Sequence, residues 1–137
     1  MPELPEVETI KRVLEPQLKG LTITKVTVNR PEVIARPAAD EFCRLLIGQS
    51  VSGMMRRGKF LHILLDSGDR VILHLRMTGW LLFTPADFPE EKHTHIVLEM
   101  SDGRQLRFSD MRRFGRFWLL QNGEEDTYSG IAKLGME

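Results

Sequence analysis

The first apolar residues of the chain recur at helical spacing. Between residues 5 and 18 they stand mostly three or four positions apart, which places them along one face of a helix. Pro5 suits the first turn of this helix, because the amide proton that proline lacks would have no partner there. Residues 38–48 show a shorter pattern of the same kind, which stops at Gly48. The pattern predicts helices over 5–18 and 38–48.

The other apolar positions follow the spacing of β-strands. Residues 23–30 alternate between apolar and polar, and seven short apolar runs lie between residues 50 and 121. The turn signals SGD and SDG each separate two of these runs, as tight connections between antiparallel strands do. We predict an α+β fold, an antiparallel β-sandwich of about eight strands with two flanking helices.

Length and charge narrow the class of protein. The chain has 137 residues, enough for one domain with a hydrophobic core, and its formal net charge is zero. The zero total argues against a domain that is basic as a whole, yet basic residues cluster at 55–59 and 111–116 and can form a basic face. No apolar run of about 18 residues and no secretory leader occurs, so we expect a cytoplasmic protein with no membrane partner.

We expect no metal site in this chain. Cys43 is the one cysteine, so neither a disulfide nor a cysteine-based zinc site can form within the chain. His93 and His95 have the spacing that puts two imidazoles on one face of a strand. No carboxylate or cysteine motif completes a ligand set around them, so this pair does not predict a metal.

Two stretches offer cations to a phosphate. In RRGKFL, Lys59 follows Gly58 between two strand-like runs, and it is either an exposed hairpin lysine or a compact cation that contacts phosphate. In HLRMTGW, His74 and Arg76 share one face of the predicted strand. Either stretch could lie on the basic face.

Two apolar residues lie at predicted loops in basic surroundings. Met77 precedes the turn signal Thr78-Gly79, and Phe114 stands between Arg113 and Gly115. Each side chain either folds back onto the core or inserts as a wedge into stacked bases. The sequence pattern leaves both interpretations open.

The first six residues, MPELPE, permit amine chemistry. If Met1 is removed, Pro2 carries a free secondary amine, which can attack an aldehydic sugar carbon and form a cationic iminium. The iminium is an electron sink, and loss of a neighbouring phosphate follows readily. Glu3 could transfer protons and Glu6 could orient the pair, although all three residues are also ordinary at a helix start. If Met1 is retained, the Pro2 nitrogen is a tertiary amide and cannot attack.

Four of these motifs occur together in one known family. MPELPEVET, RRGKFL, HLRMTG and DMRRFG resemble, in the same order and at similar spacing, the motifs of the bacterial formamidopyrimidine-DNA glycosylase family. The resemblance implies a base-excision repair enzyme that removes oxidised purines, chiefly 8-oxoguanine and ring-opened formamidopyrimidines. It also implies that the enzyme then cuts the DNA at the abasic site by lyase chemistry.

The resemblance assigns catalytic roles to four residues. Pro2 resembles the family's nucleophile, which attacks the sugar C1′, and Glu3 resembles its acid and base. Glu6 resembles a supporting carboxylate. Lys59 resembles the hairpin lysine that holds the phosphate next to the lesion.

The resemblance assigns DNA contacts to four further residues. His74 resembles a second phosphate contact, while Met77, Arg112 and Phe114 look like the residues that fill the hole left by the flipped nucleotide. Arg112 would face the orphaned cytosine. Leu4 also favours purine lesions, since the sister branch that prefers oxidised pyrimidines typically has glycine there.

The resemblance also implies how the chain is organised. Residues 1–130 correspond to the N-terminal catalytic domain, and 131–137 to the start of a linker towards a second domain that this chain lacks. The family's zinc finger belongs to that second domain, so we expect no cofactor here. The expected partners are damaged double-stranded DNA and the missing C-terminal half, and the expected state is a monomer.

Two alternatives to the enzyme remain open at this point. The same fold could serve as a catalytically silent module that binds DNA or another protein. The chain could also be a plain β-sandwich with an unrelated partner.

Overall fold

The two predicted helices are present. The computed structural model describes residues 4–75, 79–111 and 115–123, with only the backbone described for 4–6. Helix α1 spans Leu4–Leu18 and helix α2 spans Ala39–Leu46. No helix in these described ranges is long and apolar enough to cross a membrane.

Within the described ranges nine strands form two sheets, which confirms the predicted α+β sandwich. The four-stranded sheet has the order β1-β7-β8-β6 and the five-stranded sheet the order β2-β9-β5-β4-β3. All neighbouring strands are antiparallel except β2 and β9. The strands are β1 (Ile23–Val28), β2 (Ile34–Arg36), β3 (Val51–Arg57), β4 (Phe60–Leu65), β5 (Arg70–His74), β6 (Gly79–Pro85), β7 (Thr94–Met100), β8 (Arg104–Asp110) and β9 (Arg116–Leu120).

The sequence pattern did not predict strand β2. It has only three residues, follows a short 3-10 helix over Pro31–Val33, and is bounded by Pro37. Three residues are too few to show alternation, and prolines usually mark loops. Its edge position in the sheet, beside β9, tolerates the neighbouring prolines because few of its amides must pair.

The hydrophobic core lies between the two sheets. Phe108 of the four-stranded sheet and Phe117 of the five-stranded sheet meet edge to face, with ring centroids 5.0 Å apart. Helix α1 adds Val7, Leu14 and Leu18 to the same core. A smaller apolar cluster, built on Ile72, Trp118 and Leu120, lies on the opposite face of the five-stranded sheet.

Helix α1 runs antiparallel to β3. After the helix ends, the amide of Gly20 donates to the carbonyl of Val51 at 2.8 Å, which joins the end of the helix to the start of the strand. At the middle of β3, the amide of Met54 donates to Glu15 Oε2 at 2.8 Å. The beginning of α1 therefore lies beside the end of β3, where the chain turns into β4.

The strand registers bring several turns to one end of the sandwich. Phe60 at the start of β4 pairs with His74 at the end of β5, and His74 pairs with Arg116 at the start of β9. In the other sheet, Gly79 at the start of β6 pairs with Asp110 at the end of β8. We call this the loop end: the part of the sandwich that carries the 58–59 turn and the residues that flank 76–78 and 112–114.

Candidate functional site

The candidate residues fall into two groups with respect to the structure. Pro2, Glu3, Met77, Arg112 and Phe114 lie outside the described residues, and only the backbone of Glu6 is described, in the first turn of α1. Lys59 and His74 are described in full.

Glu8 ties the start of α1 to the β3–β4 hairpin. Its Oε1 accepts Arg56 Nε at 2.9 Å and its Oε2 accepts Arg12 Nε at 3.0 Å. The hydrogen bond from Arg56 and then that from Arg12 lower the pKa of the Glu8 carboxyl. Sequence reasoning gave Glu8 no part in the site: it lies two residues after MPELPE, but its pairing with Arg56, 48 positions away, is visible only in the structure.

The predicted hairpin around Lys59 is present. Gly58 has φ of +58°, a backbone conformation that glycine adopts without steric cost, and its carbonyl accepts Arg56 Nη1 at 3.1 Å. Lys59 is half-buried and Arg57 is exposed. The turn thus holds a lysine and an arginine beside the start of α1, and the assignment of Lys59 to a phosphate stays a prediction.

His74 is more enclosed than a surface phosphate contact would require. His74 is only 9% exposed, and its ring lies edge-on to that of Phe60, with the ring centroids 4.8 Å apart. Phe60 in turn packs on Trp118, with centroids 6.0 Å apart. The imidazole thus packs on an aromatic pair and is largely shielded from solvent, and the assignment of His74 to a phosphate stays a prediction.

The residues that flank 76–78 lie beside those that flank 112–114. The amide of Gly79 donates to the carbonyl of Leu75 at 3.0 Å, and the amide of Gly115 donates to Asp110 Oδ2 at 2.8 Å. A Cβ added at Gly79 would lie 3.0 Å from the ring of Phe108, and one added at Gly115 would lie 2.5 Å from it. The buried ring of Phe108 therefore packs against both Gly79 and Gly115.

Asp110, two residues before segment 112–114, is hydrogen-bonded to His95 of strand β7. Asp110 is fully buried, and its backbone carbonyl accepts His95 Nε2 at 2.6 Å. His95 was one half of the histidine pair considered for a metal. Among the described residues, no three histidine, cysteine, aspartate or glutamate side chains are placed to hold a metal ion.

Cations line the loop end on the side of the five-stranded sheet. Arg57 and Lys59 lie at the hairpin, and Arg116 at the start of β9 donates from Nη1 to the carbonyl of Gly115 at 2.8 Å. These residues come from both basic clusters of the sequence. The formally neutral chain thus has a local basic surface at the loop end, where Lys59 and His74 lie.

The fold and this end of it define a class: a two-helix β-sandwich domain with a basic end beside the start of helix α1. The chain belongs to the formamidopyrimidine-DNA glycosylase N-terminal domain family, whose sequence profile matches residues 1–117. The resemblance seen in the four motifs is thereby confirmed.

Similar proteins agree with this membership. Over its full length the chain is 47% identical to the formamidopyrimidine-DNA glycosylase of Desulforamulus reducens, of which it covers 50%. It is 36% identical, with a TM-score of 0.83, to MutM in complex with DNA containing carbocyclic 8-oxo-G, covering 88% of this chain and 44% of that one. The Lactococcus lactis formamidopyrimidine-DNA glycosylase bound non-covalently to DNA with an AP site is 34% identical with a TM-score of 0.82, covering 87% and 45%. The chain spans about half the length of the curated relatives it matches.

Proposed function

We propose that this chain is the catalytic N-terminal part of a base-excision repair DNA glycosylase with abasic-site lyase activity. Its proposed substrates are oxidised purines, 8-oxoguanine and formamidopyrimidines, in double-stranded DNA. The observation that carries the proposal is the meeting, at the loop end, of the start of α1, the Lys59 hairpin and the flanks of both loops. The solved relatives that hold DNA with an AP site or with 8-oxo-G support the choice of substrate class.

The proposed chemistry starts from the Pro2 amine after removal of Met1. The nitrogen lone pair attacks the sugar C1′, the bond from C1′ to the base breaks, and the base leaves with a proton. Ring opening of the sugar gives a cationic iminium between Pro2 and C1′. Removal of a proton from the neighbouring carbon then expels the adjacent phosphate, and water finally releases the sugar remnant from Pro2.

The remaining residues bind DNA and move protons in this proposal. Glu3 is the acid and base, Glu6 supports it, and Lys59 and His74 hold the phosphates next to the lesion. Extrusion of a nucleotide costs a few kcal/mol of stacking, and Met77, Arg112 and Phe114 offset part of that cost by filling the hole. No cofactor is needed for these steps, and we propose that the protein acts as a cytoplasmic monomer.

Cleavage of three matched duplexes tests the proposal. One strand carries a single 8-oxoguanine opposite cytosine, an oxidised pyrimidine at the same place, or no lesion. The protein, with Met1 removed, should cut the first duplex at the lesion in preference to the second and leave the third intact. Pro2→Ala, which replaces the secondary amine by a primary one on a less constrained residue, should change the yield and the ratio of products.

The alternative of a silent module predicts a different outcome of the same experiment. Such a module would bind the lesion duplex without breaking either strand or forming any covalent adduct. Salt-sensitive binding with no strand cleavage at any protein concentration would therefore overturn the enzymatic proposal and favour the module.

A further inference from the structure

The Arg56 side chain bridges two segments that the proposed function uses together. Its Nε donates to Glu8 of helix α1 at 2.9 Å, while its Nη1 donates to the carbonyl of Gly58 in the hairpin turn at 3.1 Å. Lys59 follows Gly58 directly in the chain. One guanidinium thus connects the first turns of α1 to the residue that precedes the candidate phosphate-binding lysine.

We infer that Glu8 and Arg56 are positioning residues that hold the N-terminal amine and Lys59 at a fixed separation. The inference rests on the proposed function, since it concerns the placement of Pro2 and Lys59 for the same reaction. Glu8 stands one helical turn after Leu4, a rise of about 6 Å, and Pro2 is two residues before Leu4. A tie at Glu8 therefore acts on the first turns of the helix that follows Pro2 in the sequence.

A second tie between the same helix and the same strand offers an internal comparison. Glu15 accepts the amide of Met54 at 2.8 Å and pairs with Lys11 Nζ at 3.4 Å. It is seven residues further along α1, a rise of about 10 Å away from the loop end. Glu15 thus fastens α1 to β3 as Glu8 does, but at a place where no candidate catalytic residue lies within the described chain.

The residue types suit a positioning role. The planar guanidinium of Arg56 presents donors in fixed directions, so it can serve a carboxylate and a carbonyl at once, which the single ammonium of a lysine does poorly. The two side chains are 21% and 29% exposed, so the ion pair is partly shielded from water. Arg12, whose side chain is largely exposed, donates to the other oxygen of Glu8 at 3.0 Å.

An ordinary stabilising ion pair would give the same picture, so the test must separate placement from stability. Glu8→Gln removes the charge and keeps the shape of the side chain. Glu15→Gln is the matched control, because it makes the same chemical change in a tie between the same two elements. Arg56→Lys keeps the charge and loses the fork, and it serves as the second variant if Glu8→Gln does not fold.

The experiment measures DNA affinity and the rate of borohydride trapping separately, on duplex DNA with one abasic site. All proteins have Met1 removed and are held well below their unfolding temperatures. A displaced amine should slow trapping by about tenfold to a hundredfold in Glu8→Gln, with affinity changed by no more than about twofold. Arg56→Lys should slow trapping to a lesser degree, and Glu15→Gln should leave both quantities unchanged.

Failure of the proposed function and failure of the positioning role give different results. Absence of trapping in the unmodified sequence contradicts the proposed function, and the tie is then judged by amide hydrogen exchange of residues 58–60. Faster exchange there in Glu8→Gln but not in Glu15→Gln supports the positioning role. Trapping at the unmodified rate in Glu8→Gln, or equal exchange in the two variants where no trapping occurs, overturns it.

Discussion

Gly115 shows how tightly single residues are placed at the loop end. A Cβ at this position would lie 2.5 Å from Phe108 Cζ and 3.1 Å from the carbonyl oxygen of His74, so Gly115→Ala must move a buried ring or the strand. We expect a loss of about 1–3 kcal/mol in the free energy of unfolding, as for other overpacked sites. Denaturant unfolding measures it. Gly53→Ala is the control, because the nearest atom there, 3.2 Å away, is a carboxylate oxygen of Glu15, which has to shift by only a few tenths of an ångström.

A loss in Gly53→Ala as large as that in Gly115→Ala would contradict this account. It would mean that a Cβ placed against Phe108 costs no more stability than one placed beside the Glu15 carboxylate. The loop flanks would then not be fixed by the ring.

Phe114 and Met77 are predicted to insert into DNA rather than into the core. Their replacement by alanine should therefore cost under about 1 kcal/mol of stability, as at surface sites generally. It should weaken binding to DNA with an abasic gap more than binding to intact duplex, because only the gap has a void to fill. Arg112→Ala should act in the same way, most strongly opposite cytosine. Unfolding and binding titrations on both duplexes measure the two effects.

Phe108→Ala provides the contrast for these wedge variants. Phe108 is 1% exposed and belongs to the core, so its truncation should cost about 3–5 kcal/mol. A similar loss in Phe114→Ala, without a selective loss on gapped DNA, would return Phe114 to the core.

Between elements, two carboxylates join α1 to β3, those of Glu8 and Glu15, and they should make the stability of the fold sensitive to acid. The hydrogen bond from Arg56 lowers the pKa of Glu8, and that from the Met54 amide lowers the pKa of Glu15, both below an ordinary value of 4.5. Since the folded pKa lies below the unfolded one, this stabilisation is complete above about pH 5 and is lost as the pH falls through the folded pKa. The double variant Glu8→Gln, Glu15→Gln should lose less stability on acidification than the unmodified chain.

Denaturant unfolding as a function of pH checks this expectation. Glu90→Gln, a change at an exposed loop residue, is the control and should leave the acid limb unchanged. An acid limb in the double variant as steep as in the unmodified chain would contradict the role of the two ties.

Periodicity predicted most elements because most of them bury one face. Helix α1 begins and ends within one residue of the prediction, and the turns at 67–69 and 101–103 join antiparallel neighbours as expected. Strand β2 escaped because its partner, β9, lies about eighty residues away, and a three-residue strand is stabilised by that pairing rather than by local preference. Such an element is visible only once the sheet is assembled.

The motifs of the candidate site could be predicted from the sequence, but the tertiary contacts that hold its residues in place could not. MPELPE, RRGKFL, HLRMTG and DMRRFG are legible in the sequence alone, and they contain every residue assigned to catalysis or DNA contact. The pairing of Glu8 with Arg56, 48 positions apart, and the contact of His95 with Asp110 arise from tertiary packing, to which sequence spacing gives no access. The same holds for His74, whose enclosure depends on Phe60 and Trp118.

At the scale of the whole molecule, a neutral chain with a local basic surface should bind DNA weakly and with marked salt dependence. The contacts available are the clusters at 55–59 and 111–116 together with His74. Each neutralised phosphate adds about 0.9 to the slope of log affinity against log salt, so we expect a slope of about −2 to −4 on duplex DNA. Titration at several salt concentrations measures it. A slope near about −8, or tight binding without salt dependence, is incompatible with this surface.

Borohydride trapping on abasic DNA tests whether the N-terminal amine of this chain is the nucleophile, as we propose. Two preparations are compared, one with Met1 removed and one with Met1 retained, which differ only in whether the Pro2 nitrogen is a free amine. We expect a borohydride-reduced covalent cross-link to DNA in the first preparation, located at Pro2 by mass spectrometry, and none in the second. Equal cross-linking in both preparations would contradict the claim and would point instead to a lysine such as Lys59 as the nucleophile.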